Sequence, residues 1–522
     1  MHLGMLLEMV GEGMPDRVLV GRREGGLTAT GLLTCARAAA KQLAQLPGER
    51  VALIDVNSAA VPVTLFGAAL AGKPFVPLNY RLTDDRLRAL VERTAPAIVV
   101  ANPEARQRVG EVEGIVWFDR DELLAATTST DDSEIAGALP EIDPDDIALL
   151  LYTSGTTGDP KAAVLRHRNL ASYILSTVDF AGADEHDAAL VSVPPYHIAG
   201  VSAVLSSAYS GRRVSYLESF DPAQWVEQVQ SERITHAMVV PTMLNRILDV
   251  VESGNHSLET LRSISYGGGP MPVPVIERAL RLFPQTGFVN AYGLTETSST
   301  IALLGPEDHR AAFASDDPAV RARLASVGRP LPSLSVTIRD TEGNELPAGE
   351  IGEIWVSGEQ VSGSYLGSGA DIDSKWFRTK DSGHLDDAGY LYVHGRLDDV
   401  IVRGGENLSP GEIENALIAH PAVANAAVVG VPDNDWGERV VAAVVLTEGQ
   451  TASEEELQQF VRARLRSTMT PERIQLRTEL PFNETGKLLR RVLRTELADL
   501  TENAHSGSIA QVFNHFGHSG SS

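Results

Sequence analysis

The sequence is poor in cysteine, in basic charge, in aromatic side chains and in long apolar runs. Cys35 is the single cysteine among 522 residues, so no intrachain disulfide can form and a reducing, cytoplasmic setting fits. It reads as a small core residue, remote from every motif described below. Lysine and arginine number 44 against 69 aspartates and glutamates, a net charge of −25. A field of that sign disfavours nucleic acid and anionic membranes as partners, so an anionic substrate must be held by local donors. No run of about 18 apolar residues occurs, and no helical membrane span is expected. The opening MHLGMLLEMVGEG lacks a basic flank and a cleavage site, and Glu8 interrupts its apolar patch. No signal peptide is expected there.

What is present is globular, with an apolar fraction of 43%. Short apolar runs alternate with helical patterns. RVALIDV (50–56) reads as a strand, 58–73 as a helix with a small-residue face, and PFVPLN (74–79) as the next strand. A helix over 84–94 and a strand over 97–102 follow. This order predicts α/β layers around a largely parallel sheet. The rhythm returns at HDAALVSVPP, RRVSYLESF, ITHAMVVP and GFVNAYG. Residues 127–146 are polar and acidic and read as a surface connection. The expected architecture is a large N-terminal domain over 1–397, built of α/β subdomains with an antiparallel β subdomain at about 330–395. A small α+β domain over 398–500 follows, then a Ser/Gly/His-rich tail over 501–522 that is expected to be flexible. Within the tail, Ile509, Val512, Phe513 and Phe516 have the spacing of a short docked helix.

One polar stretch interrupts this pattern. LLYTSGTTGDPKAAV (150–164) sets hydroxyls, glycines and a lysine between two apolar runs. DDIALLLY before it and AAVLRH after it read as strands, with a helix at RNLASYIL. The glycines let backbone N–H groups converge, and Lys161 adds charge, which suits a polyphosphate. It is not a Walker loop, because Lys161 follows a proline and no helix opens behind it. An ordinary polar hairpin fits the same composition.

TSGTTGDPK resembles the phosphate-binding loop of the adenylate-forming superfamily, which includes acyl-CoA synthetases, peptide-synthetase adenylation domains and luciferases. Four further blocks resemble that family, in its order: NAYGLTET (290–297), KDSGHLDDAGYLYVHGR (380–396), GRLDDVIVRGGENLSPGEIE (395–414) and PFNETGKLLRR (481–491). The texture is closest to fatty-acyl and aryl-CoA ligases. Three positions depart from the pattern. Ala162 and Lys380 stand where glycine is usual, and STMTPERI (467–474) replaces a more aromatic or lysine-bearing sequence.

The resemblance implies ATP-dependent activation of a carboxylic acid to an acyl-adenylate, then transfer to CoA with release of AMP, and a mobile C-terminal lid domain. Two anions must meet, so cations and donors must neutralise both. The main cation is expected to be Lys487. Thr153, Ser154, Gly155, Thr156, Thr157, Gly158 and Lys161 are expected around the β- and γ-phosphates. Asn290, Ala291, Tyr292 and Gly293 would line the adenine site with Gly267, Gly268 and Gly269. Thr295 would donate to the α-phosphate and Glu296 would hold magnesium. Asp381 would accept both ribose hydroxyls, with Arg396 as a further donor. Lys380 beside it should not interfere, because adjacent strand side chains point to opposite faces. Asp398 falls at the hinge position, and Gly404, Gly405 and Trp436 at the pantetheine path. His197 in PPYHIAGV would gate the carboxylate, with Thr242, Met243, Tyr266, Ala291 and Ser298 lining the acyl pocket. This mixed small and apolar lining favours an aliphatic or aryl-aliphatic monocarboxylic acid. For several of these residues a purely structural role fits as well: a core position for His197, a turn for the triple glycine, a surface position for Trp436. The family's members imply a monomer or homodimer. Two other functions stay open, an acyl-AMP ligase that loads a separate carrier protein and a luciferase-like or non-catalytic adenylate binder.

Overall fold

The computed structural model describes the chain except for residues 128–138, 154–159, 255, 257, 368–374, 434, 483–487 and 499–522. Among the described residues the strands form four sheets. Packing divides the chain into two units. The first takes Met1–Thr337, Trp355–Thr379 and Leu385–Leu391. The second takes Ile338–Ile354, Lys380–His384 and the described chain from Tyr392 onward.

The first unit carries two large sheets. One runs in the order Ser364–Tyr365, Lys161–Arg166, Ile147–Thr153, Phe75–Pro77, Arg50–Ile54, Ala97–Ala101, Ile115–Asp119. Its last five strands are parallel neighbours and its first two are antiparallel additions. The inner strands are continuous apolar runs, as expected where both faces are covered. All five residues of Ala97–Ala101 are buried. The helix Ala60–Leu70 is buried along its whole length, and for that reason it shows no polar face. The helix Ala29–Gln45 starts where the Thr28 hydroxyl accepts from Gly31 N at 3.1 Å.

The second large sheet pairs Val18–Val20, Arg213–Tyr216, Ala188–Val191, His236–Val239, Ser263–Gly267 and Gly287–Leu294 in parallel. The antiparallel strand Ser299–Leu304 follows the last of these. The predicted α/β layering with mainly parallel pairing is therefore present. A four-stranded sheet, in the order Ser335–Arg339, Gly352–Ser357, Phe377–Leu385, Leu391–Arg396, occupies the stretch expected to hold a β subdomain.

In the second unit, the long hairpin Val423–Asp433/Gly437–Leu446 packs against the helix Pro410–Ile418. The helix Glu454–Arg462 begins with a reciprocal cap, in which Ser453 and Glu456 satisfy each other's backbone N–H. No helix among the described residues is long and apolar enough to cross a membrane.

Candidate active site

The two described ends of the polar stretch at 150–164 lie on neighbouring strands. The strands Ile147–Thr153 and Lys161–Arg166 pair antiparallel, with Thr153 opposite Lys161 at the neck. The Thr153 hydroxyl donates to the Lys161 carbonyl at 3.3 Å, and Arg93 Nη2 donates to Pro160 O at 2.8 Å. Lys161 projects into solvent. Ser154, Gly155, Thr156, Thr157 and Gly158 lie outside the described residues, as does Lys487. Ala162, where glycine was expected, is a buried strand residue opposite Tyr152.

NAYGLTET forms the end of the strand Gly287–Leu294 and a short 3-10 turn, Thr295–Thr297. The strand leaves this turn sharply: Ser298 and Ser299 both have positive φ, 58° and 125°. Gly293 lies so close to the returning strand that a Cβ there would sit 1.7 Å from Ser299 O. Gly267 meets the same restriction from Ala291 O at 2.4 Å, and Gly268 turns with φ +80°. Tyr292, Ala291, Thr295 and Glu296 are half-buried along this edge. Asn290 is buried and donates Nδ2 to Ser326 O at 3.1 Å, so its amide holds the backbone.

A strap over 359–366 fixes the turn against the strand that leaves the polar loop. Ser364 and Tyr365 pair with Val164 and Ala163. Leu366 N donates to Ala162 O at 2.9 Å, and Asn169 Nδ2 to Glu359 O at 2.8 Å. In the other direction, Ser362 N and Gly363 N donate to Glu296 O at 2.9 and 3.2 Å. Buried Gln360 donates Nε2 to Thr297 O and Thr300 O, and the Tyr365 hydroxyl donates to Glu296 Oε1. Sequence reasoning missed Tyr365 and Gln360. The only signal was a tyrosine alone among small residues in SGSYLG. Among the described residues no group of three or more histidines, cysteines and carboxylates could hold a metal. One carboxylate beside a nucleotide's phosphate oxygens is nonetheless a sufficient magnesium site, because magnesium keeps most of its waters and uses few protein ligands. Glu296 fits that donor set.

His197 precedes the helix Ile198–Ser210 and is half-buried. Its ring centre lies 5.0 Å from that of Tyr196, which stands edge-on to Tyr80. Thr242 is half-buried and Met243 buried in the core of the second sheet. Two expected pocket residues have no surface to offer a ligand. Tyr266 is fully buried with its hydroxyl 2.7 Å from His309 Nε2, and Ser298 is fully buried with its hydroxyl donating to Gln360 O. Their assignment to the acyl pocket is not carried forward. A cavity of about 740 Å³ opens at the far ends of the strands, by Arg17, Arg213 and Arg262. These arginines are already paired with carbonyls, Glu232, Asp184 and Asp187.

In the second unit Asp381 is buried and accepts from Arg396 Nη1 at 3.0 Å, from the neighbouring strand. Lys380 is exposed, on the opposite face. Its φ is +61°, and its N–H donates to Glu353 Oε1 at 3.2 Å. The position takes a left-handed backbone, which accounts for the glycine usual in relatives. His384 Nδ1 lies 2.8 Å from His394 Nε2, and burial followed by this neighbour lowers the His394 pKa. Asp398 is exposed on the 3-10 turn Leu397–Asp399. Gly404 and Gly405 have φ of +57° and +85°. Gly404 N donates to Trp436 O at 2.7 Å, and a Cβ on Gly404 would meet the indole at 2.9 Å. Trp436 itself is 53% exposed. Glycines and tryptophan thus form one feature.

The model of the AMP-binding enzyme family matches residues 7–366, and that of the AMP-binding enzyme C-terminal domain matches 412–487. A fatty acid–[acyl-carrier-protein] ligase, ScoC of Streptomyces coeruleorubidus, is 34% identical over 86% of each chain. The 2-succinylbenzoate–CoA ligase of Bacillus licheniformis is 33% identical over 93% of this chain and 98% of its own. The o-succinylbenzoate CoA synthetase of Bacillus subtilis, solved with its acyl-adenylate intermediate, superposes with a TM-score of 0.79 at 30% identity, over 94% of this chain and 97% of that one. The same enzyme has been solved with ATP and a magnesium ion, with a TM-score of 0.78, 30% identity and coverage of 93% and 98%. With two family models spanning most of its length and full-length relatives at this identity, the chain belongs to the AMP-binding enzyme family.

Proposed function

We propose that this protein joins a monocarboxylic acid to CoA in two steps, through an acyl-adenylate formed from ATP. The observation that carries this reading is the Thr295–Thr297 turn, fastened by the 359–366 strap to the strand that leaves the TSGTTGDPK loop. The Glu296 carboxylate and the Thr295 hydroxyl are carried on a turn that packs against the strand Lys161–Arg166, which supports this reading. Magnesium, when bound with the nucleotide, supplies charge neutralisation at the phosphates. Glu296 would be its protein ligand, and Thr295 would supply a donor to the α-phosphate. Lys161 and the loop hold the departing diphosphate. Asp381, oriented by Arg396, takes the ribose hydroxyls. Tyr292 offers its ring to adenine. Lys487 neutralises the acid's carboxylate and the α-phosphate during adenylation. Asp398 is the pivot between the half-reactions, at the boundary we assign between domains 1–397 and 398–500. Gly404, Gly405 and Trp436 meet the pantetheine arm. His197, with Tyr196 behind it, walls the acyl site together with Thr242 and Ala291, and suits an aliphatic or aryl-aliphatic acid; Met243 backs this wall from the core. The single buried cysteine and the acidic surface suit a cytoplasmic enzyme without nucleic-acid partners, monomeric or dimeric.

A second reading has one observation in its favour: ScoC, the relative at 34% identity, is a ligase for an acyl-carrier protein. One experiment separates the two. Diphosphate release is followed with a panel of fatty and aryl-aliphatic acids, with CoA, with a purified carrier protein, or with neither. CoA-dependent turnover and an acyl-CoA product are expected. Turnover with the carrier protein alone would move the assignment to the second reading, and no release with any acid would remove both.

A further inference from the structure

We propose that Tyr365 is a positioning residue for the metal-binding carboxylate of the adenylation step. It fixes the orientation of Glu296, so that the carboxylate presents one chosen oxygen to magnesium. The inference rests on Glu296 as the magnesium ligand.

A glutamate carboxylate turns broadly about its last side-chain bond, and a half-buried glutamate on a three-residue turn has no intrinsic reason to hold one orientation. Here Glu296 is held at two points by one short stretch of chain. Its carbonyl accepts from Ser362 N and Gly363 N. Its Oε1 accepts from the Tyr365 hydroxyl, and no hydrogen bond to Oε2 is found among the described residues. Tyr365 is itself fixed at the backbone, paired with Ala163 in the strand that leaves the polar loop. That strand begins at Lys161, so the phenol, 69 residues beyond Glu296 in sequence, ties the carboxylate to the strand that leaves the polar stretch. Ser362, whose hydroxyl donates to Val164 O, anchors the strap to the same strand. A hydrogen bond to a ligand's outer oxygen orients that ligand and sets its affinity for the metal. Tyr365 therefore acts on metal binding rather than on nucleotide binding as such.

The test is Tyr365→Phe, which keeps the ring and removes only the donor. Glu296→Gln is measured in parallel, and melting temperatures verify that both fold. Three quantities are read: the free magnesium giving half-maximal diphosphate release at saturating ATP and acid; the affinity of manganese for the enzyme–ATP complex, by electron paramagnetic resonance; and ATP binding in EDTA. In Tyr365→Phe the half-maximal magnesium and the manganese dissociation constant should both rise about tenfold or more. Most of the lost rate should return at saturating magnesium, and metal-free ATP binding should hold. An unchanged metal requirement overturns the inference. So does an equal weakening of metal-free ATP binding, which would mark Tyr365 as a general support of the fold. If Glu296→Gln leaves the metal dependence intact, the magnesium assignment of Glu296 itself falls, whatever Tyr365→Phe does.

Discussion

Asp381 and Lys380 show what a residue's neighbours in sequence can and cannot tell. Alternation along a strand separates their side chains, and the buried carboxylate and exposed ammonium lie as that rule requires. The partner of Asp381 was not legible as such, since Arg396 was expected as an independent donor. The backbone was not legible either. Lys380 adopts φ +61°, a left-handed conformation that costs an L-residue about 1–2 kcal/mol. Glycine removes that cost but adds about 0.5–1 kcal/mol through the freedom it gives the unfolded chain. Lys380→Gly should therefore stabilise the second unit by a net amount of about 0.5–1 kcal/mol. The hydrogen bond from its N–H to Glu353 survives the change. Denaturant unfolding of the two proteins side by side checks this, and a lower midpoint for the variant would show that the lysine side chain contributes more than the backbone costs.

Elements were legible where burial leaves a strong pattern. Parallel strands covered on both faces are unbroken apolar runs, and the helix Ala60–Leu70, read from its small-residue face, is buried all round and has no polar stripe. Two kinds of element left no such pattern. Val18–Val20 joins its sheet beside Arg213–Tyr216, far along the chain, and Ser364–Tyr365 is a strand of two residues. Both are defined by partners that local sequence does not name, and the second carries the tie to Glu296. The glycine of YGLTE is a third case. Gly293 was expected at the adenine site, and the structure also uses it for the close approach of two antiparallel strands. The register shifts at Tyr292/Gly293, and a side chain at 293 has no room beside Ser299 O. Gly293→Ala should force the hairpin apart at a cost of about 3 kcal/mol and displace the Thr295–Thr297 turn. Adenylation, followed as diphosphate exchange into ATP, should fall at least as steeply as stability. Full exchange activity in a folded Gly293→Ala protein would show that the turn does not depend on this close approach.

Across the whole molecule, buried and half-buried histidines set a pH limit that the acidic composition hides. Burial is the main cause of low pKa values at His167 and His236, both about 4, and it also lowers His309 and His394. His167 is held neutral by geometry as well, since its Nδ1 accepts the Leu3 N–H at 3.3 Å and would lose that bond on protonation. A histidine depressed in the folded state stays neutral while its unfolded counterpart takes up a proton below about 6.5. Below that pH the unfolded chain binds more protons, so stability falls with pH, until the folded pKa is reached near 4. At pH 5.5 the deficit for His167 is on the order of 1 kcal/mol, and His236 contributes in the same direction. Protonation of carboxylates, which would relieve the repulsion of a −25 chain, begins mostly below pH 5. Between pH 7 and 5.5 the histidines therefore decide the sign. Three of these four histidines lie in the first unit and His394 in the second, so acid should weaken the first unit first. Denaturant midpoints at pH 7.5, 6.5 and 5.5 should fall in that order. His167→Gln should flatten the dependence even if it lowers the midpoint at every pH. An unchanged slope in that variant would mean that His167 titrates near its ordinary value and that the acid limit arises elsewhere.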